Sequence, residues 1–380
     1  MTVRLYDHAK LYRDAQPEID AAIARVLGSG RLDWGPEVPA FEAELADWLG
    51  ANHVVTTGSG TTALQAALLA LGLGPDDEVI TVPNTDIACS SAIRLAGARV
   101  VWVDIDPLTR CMDVAAAAAA ITPRTRALMP VDMYGHPADL RALRALADRH
   151  GLRVVEDACL ALGAEIDGQR VGCFGDVTCF SFAPTKHLGA FGSAGACVTG
   201  DAALAGRIER IVAYGQSRAH HMTTFGGGGG ALCHETDGLN ARMDELQAAV
   251  LRTKLIHLDV TLEQRRAQAA RYSAQLAAAP VHLPSEHGPV RHAWRNYVIE
   301  VDDRDTLRAA LADRGIATNT PYAPPMHLQP VYRELGGKPG DFPMAERSCT
   351  RLLGLPLGPH LTLDEIDAVS NAVRDILRAV

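Results

Sequence analysis

No block of this chain is rich enough in Lys and Arg to read as a nucleic-acid surface. Its 36 Lys and Arg stand against 45 Asp and Glu, a net charge of −9, and an acidic balance of that kind argues against a polyanion partner. Nothing approaches the roughly 18 consecutive apolar residues that a membrane span needs. The opening residues, Met1 to His8, carry no secretory hydrophobic region. The eight cysteines are scattered with no C-x-x-C pair, several of them inside apolar stretches. That spacing speaks against zinc and against a disulfide framework and for reduced thiols. No internal repeat is visible. These absences lead us to expect a cytoplasmic protein with no nucleic-acid, membrane or metal partner.

What is present is an ordinary globular composition. At 380 residues, 48% hydrophobic and 21% charged, the chain has room for one large α/β domain and a smaller one. Residues 19–28 and 38–49 read as helices, with a turn-rich stretch from Gly28 to Pro36 between them. From His53 strands and helices alternate. Strands are expected at 53–57, 78–82, 99–104, 127–133, 153–156, 177–182 and 195–199, with helices beginning near Thr61 and Ile87. This pattern predicts a mostly parallel sheet covered by helices on both faces, with ligands beyond the carboxyl ends of its strands. Ala115–Ile121 reads as a short surface helix. Gln216 to Gly238, with five consecutive glycines at 226–230, interrupts the pattern as an excursion. One long helix from about Met243 to Leu276 then leads to a small α+β region. We expect domains at 1–255 and 256–380.

Lys186 is the most informative residue. It follows the apolar strand Val177–Phe182 and the turn Ala183-Pro184-Thr185, and precedes the small-residue stretch Gly189 to Gly195. A lysine amine forming a Schiff base is the usual protein attachment for pyridoxal phosphate (PLP). Upstream, Val154-Val155-Glu156-Asp157 is a strand ending in a carboxylate, the partner that a pyridine nitrogen needs to stay protonated. Between strand and helix, Thr57-Gly58-Ser59-Gly60-Thr61-Thr62 offers free N–H groups and the positive end of a helix dipole to a phosphate. Ser181 could point at the same phosphate or bond to backbone. A metal site from His220, His221, Cys233 and His234 is conceivable but lacks recognised ligand spacing.

Taken in order, these motifs resemble the DegT/DnrJ/StrS aminotransferases. Further matches are Ser29-Gly30 with Gly35-Pro36, Tyr134-Gly135-His136-Pro137-Ala138-Asp139 and Gly238-Leu239-Asn240-Ala241-Arg242-Met243. Pro325-Met326-His327-Leu328-Gln329-Pro330 and Leu355-Pro356-Leu357 complete them. The resemblance implies PLP-dependent transferase fold type I, with a seven-stranded type of sheet and a small C-terminal α+β domain. It implies Lys186 and Asp157 as catalytic groups, and cofactor contacts from Gly60, Thr61, Thr62, Asp86, Leu160 and Ser181. Asn240 would reach the cofactor phosphate of a neighbouring subunit, so that a homodimer shares its active sites and the 216–238 excursion lies over the partner's site. Trp34, His187, Tyr322 and His327 are expected to face the substrate.

Three positions depart from that family. An aromatic residue usually stacks on the cofactor ring where this chain has Asp86, which either caps the helix that follows or meets an unusual substrate group. Leu160 stands where a hydrogen-bonding Gln or His is common and cannot donate to the cofactor. Met133 replaces a frequent histidine. The implied reaction moves an amino group from L-glutamate or L-glutamine to a keto sugar, nucleotide-linked, in amino-sugar biosynthesis of secondary metabolism. A keto-cyclitol acceptor, a PLP-dependent sugar dehydratase and a non-catalytic regulator are the alternatives.

Overall fold

A computed structural model of the protein describes residues 2–217 and 233–379. The glycine run 226–230, His220 and His221 therefore lie outside the described residues. Seven strands form the central sheet: β1 His53–Thr57, β2 Glu78–Thr81, β3 Arg99–Trp102, β4 Thr125–Leu128, β5 Arg153–Asp157, β8 Val177–Ser181 and β9 Gly195–Thr199. The short β6 Glu165–Ile166 and β7 Gln169–Arg170 fall between β5 and β8 in the chain. The sheet order is β1-β9-β8-β5-β4-β2-β3. Pairing is parallel from β8 through β3, while β9 runs antiparallel to both β8 and β1. β8 is the clearest case of why these segments are strands. Its Val177, Thr178, Cys179 and Phe180 are all buried, as expected of a strand covered on both faces.

The helix Gly60–Ala70 packs against β8, β9 and β5, contributing the fully enclosed Ala63, Leu64, Ala66, Ala67 and Leu68. It begins with a reciprocal capping box in which Ser59 accepts from the Thr62 N–H and the Thr62 side chain accepts from the Ser59 N–H. That box fixes the turn leaving β1. A second core gathers Val3 with Tyr272, Tyr297, Ile299, Leu311, Leu353, Leu355, Ile366 and Val373. It is built on the antiparallel pair β11 Tyr297–Glu300 and β12 Leu352–Leu355, while a three-stranded sheet of β10 Val290–Arg291, β6 and β7 lays Ile166 and Val290 against the large core.

Two expectations on element bounds change. The single helix expected from Met243 to Leu276 is two, Glu245–Leu255 and Leu258–Leu276, parted at His257, whose backbone leaves the helical region. The strand expected to run to Met133 stops at Leu128. Pro130 has no N–H to offer the ladder, and a tight turn at Met133–Gly135 follows, with Tyr134 at φ 58°. Among the described residues no helix is long and apolar enough to cross a membrane.

Candidate active site

The carboxyl ends of β1, β2, β4, β5 and β8 open onto one place, where Asp157, Lys186, Ser181 and the turn at Gly60 meet. Asp157 ends β5 and is buried. Its Oδ2 accepts a hydrogen bond from the Cys89 thiol at 2.7 Å and its Oδ1 one from the Cys159 N–H at 3.0 Å. Both oxygens are thereby held in fixed directions. Burial, and then the adjoining Asp157 charge, push the Cys89 thiol well above its ordinary value, so it stays a proton donor.

The turn after β1 lies against the ends of β8 and β9. A Cβ on Gly60 would fall 2.6 Å from Ser181 Cβ and 3.1 Å from Cys159 Sγ, and one on Gly195 would fall 2.5 Å from the Ser59 carbonyl. Only glycine permits that approach. The N–H groups of Gly60 and Thr61 occupy the first helical turn, where no intrahelical acceptor exists. Thr61 is half-buried. Thr62 differs from expectation: its hydroxyl is engaged with Ser59 through the capping box, at 3.0 Å from Ser59 Oγ and 2.9 Å from Ser59 O. Ser181 Oγ accepts weakly from Ala183 N–H at 3.4 Å.

Lys186 follows in a turn closed by its own N–H to Ala183 O at 2.8 Å. Gly189 has to be glycine there, since a Cβ would run into the Pro184 carbonyl. Burial lowers the Lys186 amine from its usual value. Cys159, Asp157 and Asp86 act in the opposite sense, and Arg295 reinforces the lowering. These neighbours enclose the amine from β5, from the helix after β2 and from the segment before β11.

Asp86 caps the helix Ile87–Leu95, accepting from Ala88 N–H at 2.9 Å. Leu160 is buried and joins the large core. His187 gives its Nε2 to the Ala293 carbonyl at 3.0 Å. Tyr322 stacks on Tyr134, with ring centroids 6.1 Å apart, and burial raises its phenol well above the usual value. His327 has a packing role: it is 1% exposed, its Nε2 is 3.1 Å from Glu346 Oε1, and its ring meets Phe342 edge-on.

Trp34 and Asn240 form a second group. Trp34, at φ 54°, lies under the Arg242 guanidinium at 4.8 Å, on a cavity of about 210 Å³ that also touches Val55, Met243 and Glu245. Asn240 is exposed. Its segment is tied to the phosphate turn by Gly58 N–H to Ala241 O at 2.6 Å. Among the described residues no hydrogen bond joins Asn240 or Trp34 to Lys186. No cluster of three or more His, Cys, Asp or Glu among the described residues could hold a metal. Sequence reasoning missed Cys89 and Arg295. A charged residue within the apolar run Ala293-Trp294-Arg295-Asn296-Tyr297 was the available signal for Arg295.

A buried carboxylate at a strand end, a buried amine beyond the end of the adjacent strand and a helix N-terminus against that second strand define a fold-type I transferase site. The chain belongs to the DegT/DnrJ/EryC1/StrS aminotransferase family, which matches residues 13–374, and it is an aminotransferase. It is 45% identical over 370 residues to the erythromycin biosynthesis sensory transduction protein EryC1 of Saccharopolyspora erythraea, covering 97% of this chain and 98% of that one. It is 45% identical over 374 residues to dTDP-3-amino-3,4,6-trideoxy-alpha-D-glucose transaminase of Streptomyces venezuelae, covering 98% and 96%. The crystal structure of S. venezuelae DesV in complex with a ketimine intermediate superposes with a TM-score of 0.94 at 44% identity, over 100% of this chain and 99% of that one.

Pyridoxal phosphate is the cofactor of this family, and the residues here fit it. Asp157 is a buried carboxylate oriented from both oxygens. The Gly60–Gly195 contact brings the first turn of a helix against Ser181. Lys186 is enclosed with a lowered amine.

Proposed function

We propose that this enzyme transfers an amino group from L-glutamate or L-glutamine to a nucleotide-linked keto sugar, as a step of amino-sugar biosynthesis in the cytoplasm. The observation that carries the reading is the enclosed Lys186 beside Asp157 in a chain 45% identical to a dTDP-sugar transaminase over nearly its whole length. The related EryC1 bears a sensory name. An intact lysine and carboxylate favour catalysis over sensing.

In this reading residues 1–255 hold the cofactor and 256–380 close over it. Asp157 pairs with the ring nitrogen, and Cys89 and the Cys159 N–H keep its carboxylate aimed. Gly60 and Thr61 N–H groups, the Thr61 hydroxyl and Ser181 hold the phosphate, with Asn240 completing that grip from a second subunit of a homodimer. The capping box leaves Thr62 to fix the turn. Leu160 covers the ring with an apolar surface. Bound PLP supplies an electron-withdrawing ring that makes the proton on the donor's α-carbon removable. Lys186 Nζ, held below its usual basicity, is the base that takes this proton and returns one to the acceptor side. Trp34, His187 and Tyr322 would contact the acceptor.

The test is an absorption spectrum of purified enzyme with PLP, before and after L-glutamate and then L-glutamine. Collapse of the long-wavelength band with either donor supports the reading. The aminated protein is then offered a dTDP-linked keto sugar and a free keto-cyclitol. Return of the band with the cyclitol alone would remove the sugar assignment, and no band even with PLP would remove the cofactor roles.

A further inference from the structure

Two arginines are buried next to this site with no carboxylate among the described residues to balance them. Arg265, on the helix Leu258–Leu276, donates only to main-chain carbonyls: its Nη1 is 3.3 Å from Trp294 O, 3.5 Å from Arg295 O and 3.3 Å from Leu357 O. Arg295 is 4% exposed. Its Nη2 donates to the Tyr6 hydroxyl at 3.2 Å, its guanidinium lies 5.4 Å from the Tyr6 ring centroid, and its Nε is buried without a hydrogen-bond partner. Among the described residues neither arginine forms an ion pair, although ion pairs are frequent elsewhere in the protein. Burial, reinforced by the Arg295 charge, brings the Arg265 guanidinium down to about 9. Burying a cation without a counter-charge costs several kcal/mol. Two of them side by side make a positive field that an anion relieves.

The segment bearing Arg295 is fastened to both walls of the Lys186 site. Ala293 N–H donates to Gly135 O at 2.8 Å and Asn296 N–H to Tyr134 O at 3.1 Å, while the Ala293 carbonyl holds His187. A side chain on Gly135 would come within 2.8 Å of Arg295 N, so the crossing is close and fixed. Arg295 therefore stands between His187, the neighbour of Lys186, and the stacked Tyr134–Tyr322 pair. Its charge is felt at all three of Lys186, His187 and Tyr322.

We propose that Arg295, backed by Arg265, is the receptor for the α-carboxylate of the amino-acid donor. The proposal rests on the aminotransferase reading above and adds where the donor is held. An α-carboxylate is attached to the same carbon as the reacting amine, so its receptor has to lie beside Lys186. The phosphates of a nucleotide sugar are many bonds from the reacting carbon. A guanidinium presents two parallel N–H groups to the two oxygens of a carboxylate, and the orphaned Nε is one of the donors such a pair requires.

The experiment is calorimetric titration of PLP-loaded enzyme with glutarate, which has the donor's carboxylates and no amine, and with neutral glutaramide. Wild type is expected to bind glutarate and not glutaramide. Arg295→Met is expected to weaken glutarate roughly 10- to 100-fold, the range for a lost hydrogen bond to a charged group. It should raise the KM for L-glutamate while leaving the acceptor KM within about twofold. Arg295→Lys is expected to recover part of the glutarate affinity, and the PLP spectrum is expected to be the same in all three proteins. Unchanged glutarate affinity in Arg295→Met overturns the proposal. So does a rise in the acceptor KM instead of the donor KM, which would give Arg295 to the nucleotide phosphates. Should Arg295→Met fail to fold, equal binding of glutarate and glutaramide by wild type overturns it. An enzyme that takes up no PLP at all overturns the aminotransferase roles themselves, a result distinguishable from each of these.

Discussion

At the scale of the residue, the Cys89–Asp157 contact isolates one interaction from the rest of the site. The thiol is buried, kept protonated, and 2.7 Å from Oδ2. Losing a hydrogen bond to a charged group costs about 1.5–3 kcal/mol. Cys89→Ala is therefore expected to weaken PLP binding by roughly tenfold or more, while Cys89→Ser, which keeps a donor, stays close to wild type. Titration of apo-enzyme with PLP, followed by absorbance, measures both. Equal affinity in all three proteins would mean that the Cys159 N–H alone orients the carboxylate. The placement of Lys186 and Asp157 was legible in sequence because Asp157 ends one apolar strand, Lys186 follows another across a short turn, and Gly189 to Gly195 leaves room beside the lysine. Cys89 was not legible, since its partner lies 68 positions away. Arg295 was equally hidden, as its bond to Tyr6 spans 289 positions. The engagement of Thr62 was readable too: a serine three residues before it already announced the capping box that occupies its hydroxyl.

At the scale of the element, the parallel ends of β4 and β5 carry a second buried carboxyl group beside Asp157. Glu156 Oε2 accepts from Thr178 Oγ1 at 2.6 Å and Asp132 Oδ1 from Ala138 N–H at 2.8 Å. The remaining oxygens, Asp132 Oδ2 and Glu156 Oε1, are buried and have no hydrogen-bond partner, an arrangement that favours the protonated acids over two buried charges. Burial, then mutual repulsion, raises Asp132 well above the carboxylate range, and burial raises Glu156 to about 7. Both folded-state values lie above the unfolded ones, so the folded state holds more protons across the window. Stability from this pair is present below about pH 4.5 and lost as pH rises through 7. Glu156→Gln removes one titration and keeps the shape. Between pH 5 and 8 wild type is expected to lose roughly 2 kcal/mol more stability than this variant in urea unfolding. Parallel pH profiles for the two proteins would refute the raised titration of Glu156. Strand order could not be read from the same residues. Alternating strands and helices predicted a mostly parallel sheet, but nothing in Gly195–Thr199 marks it as the antiparallel member between β1 and β8. The break at His257 likewise lacks a glycine or proline to announce it.

At the scale of the whole molecule, the residues proposed for the site fall into two groups. Lys186, Asp157 and the phosphate turn form one. Asn240, exposed, with Trp34 and Arg242 nearby, forms the other. In the proposed homodimer Asn240, left exposed on a segment pinned to the phosphate turn, would finish the site of the other copy. This arrangement has a stoichiometric consequence. Lys186→Ala homodimers lack the amine in both sites. In that proposal Asn240→Asp homodimers set a negative charge against both cofactor phosphates. In a heterodimer of the two, one site collects both defects, while the other receives Lys186 and Asn240 intact. Random reassortment makes half the dimers mixed, so the mixture should recover about a quarter of wild-type activity from two nearly inactive parents. Unfolding and refolding the variants together, then assaying glutamate-dependent transamination, reads this directly. Recovery no greater than the mean of the parents would mean that Asn240 serves the site of its own chain, or that the protomers do not share one.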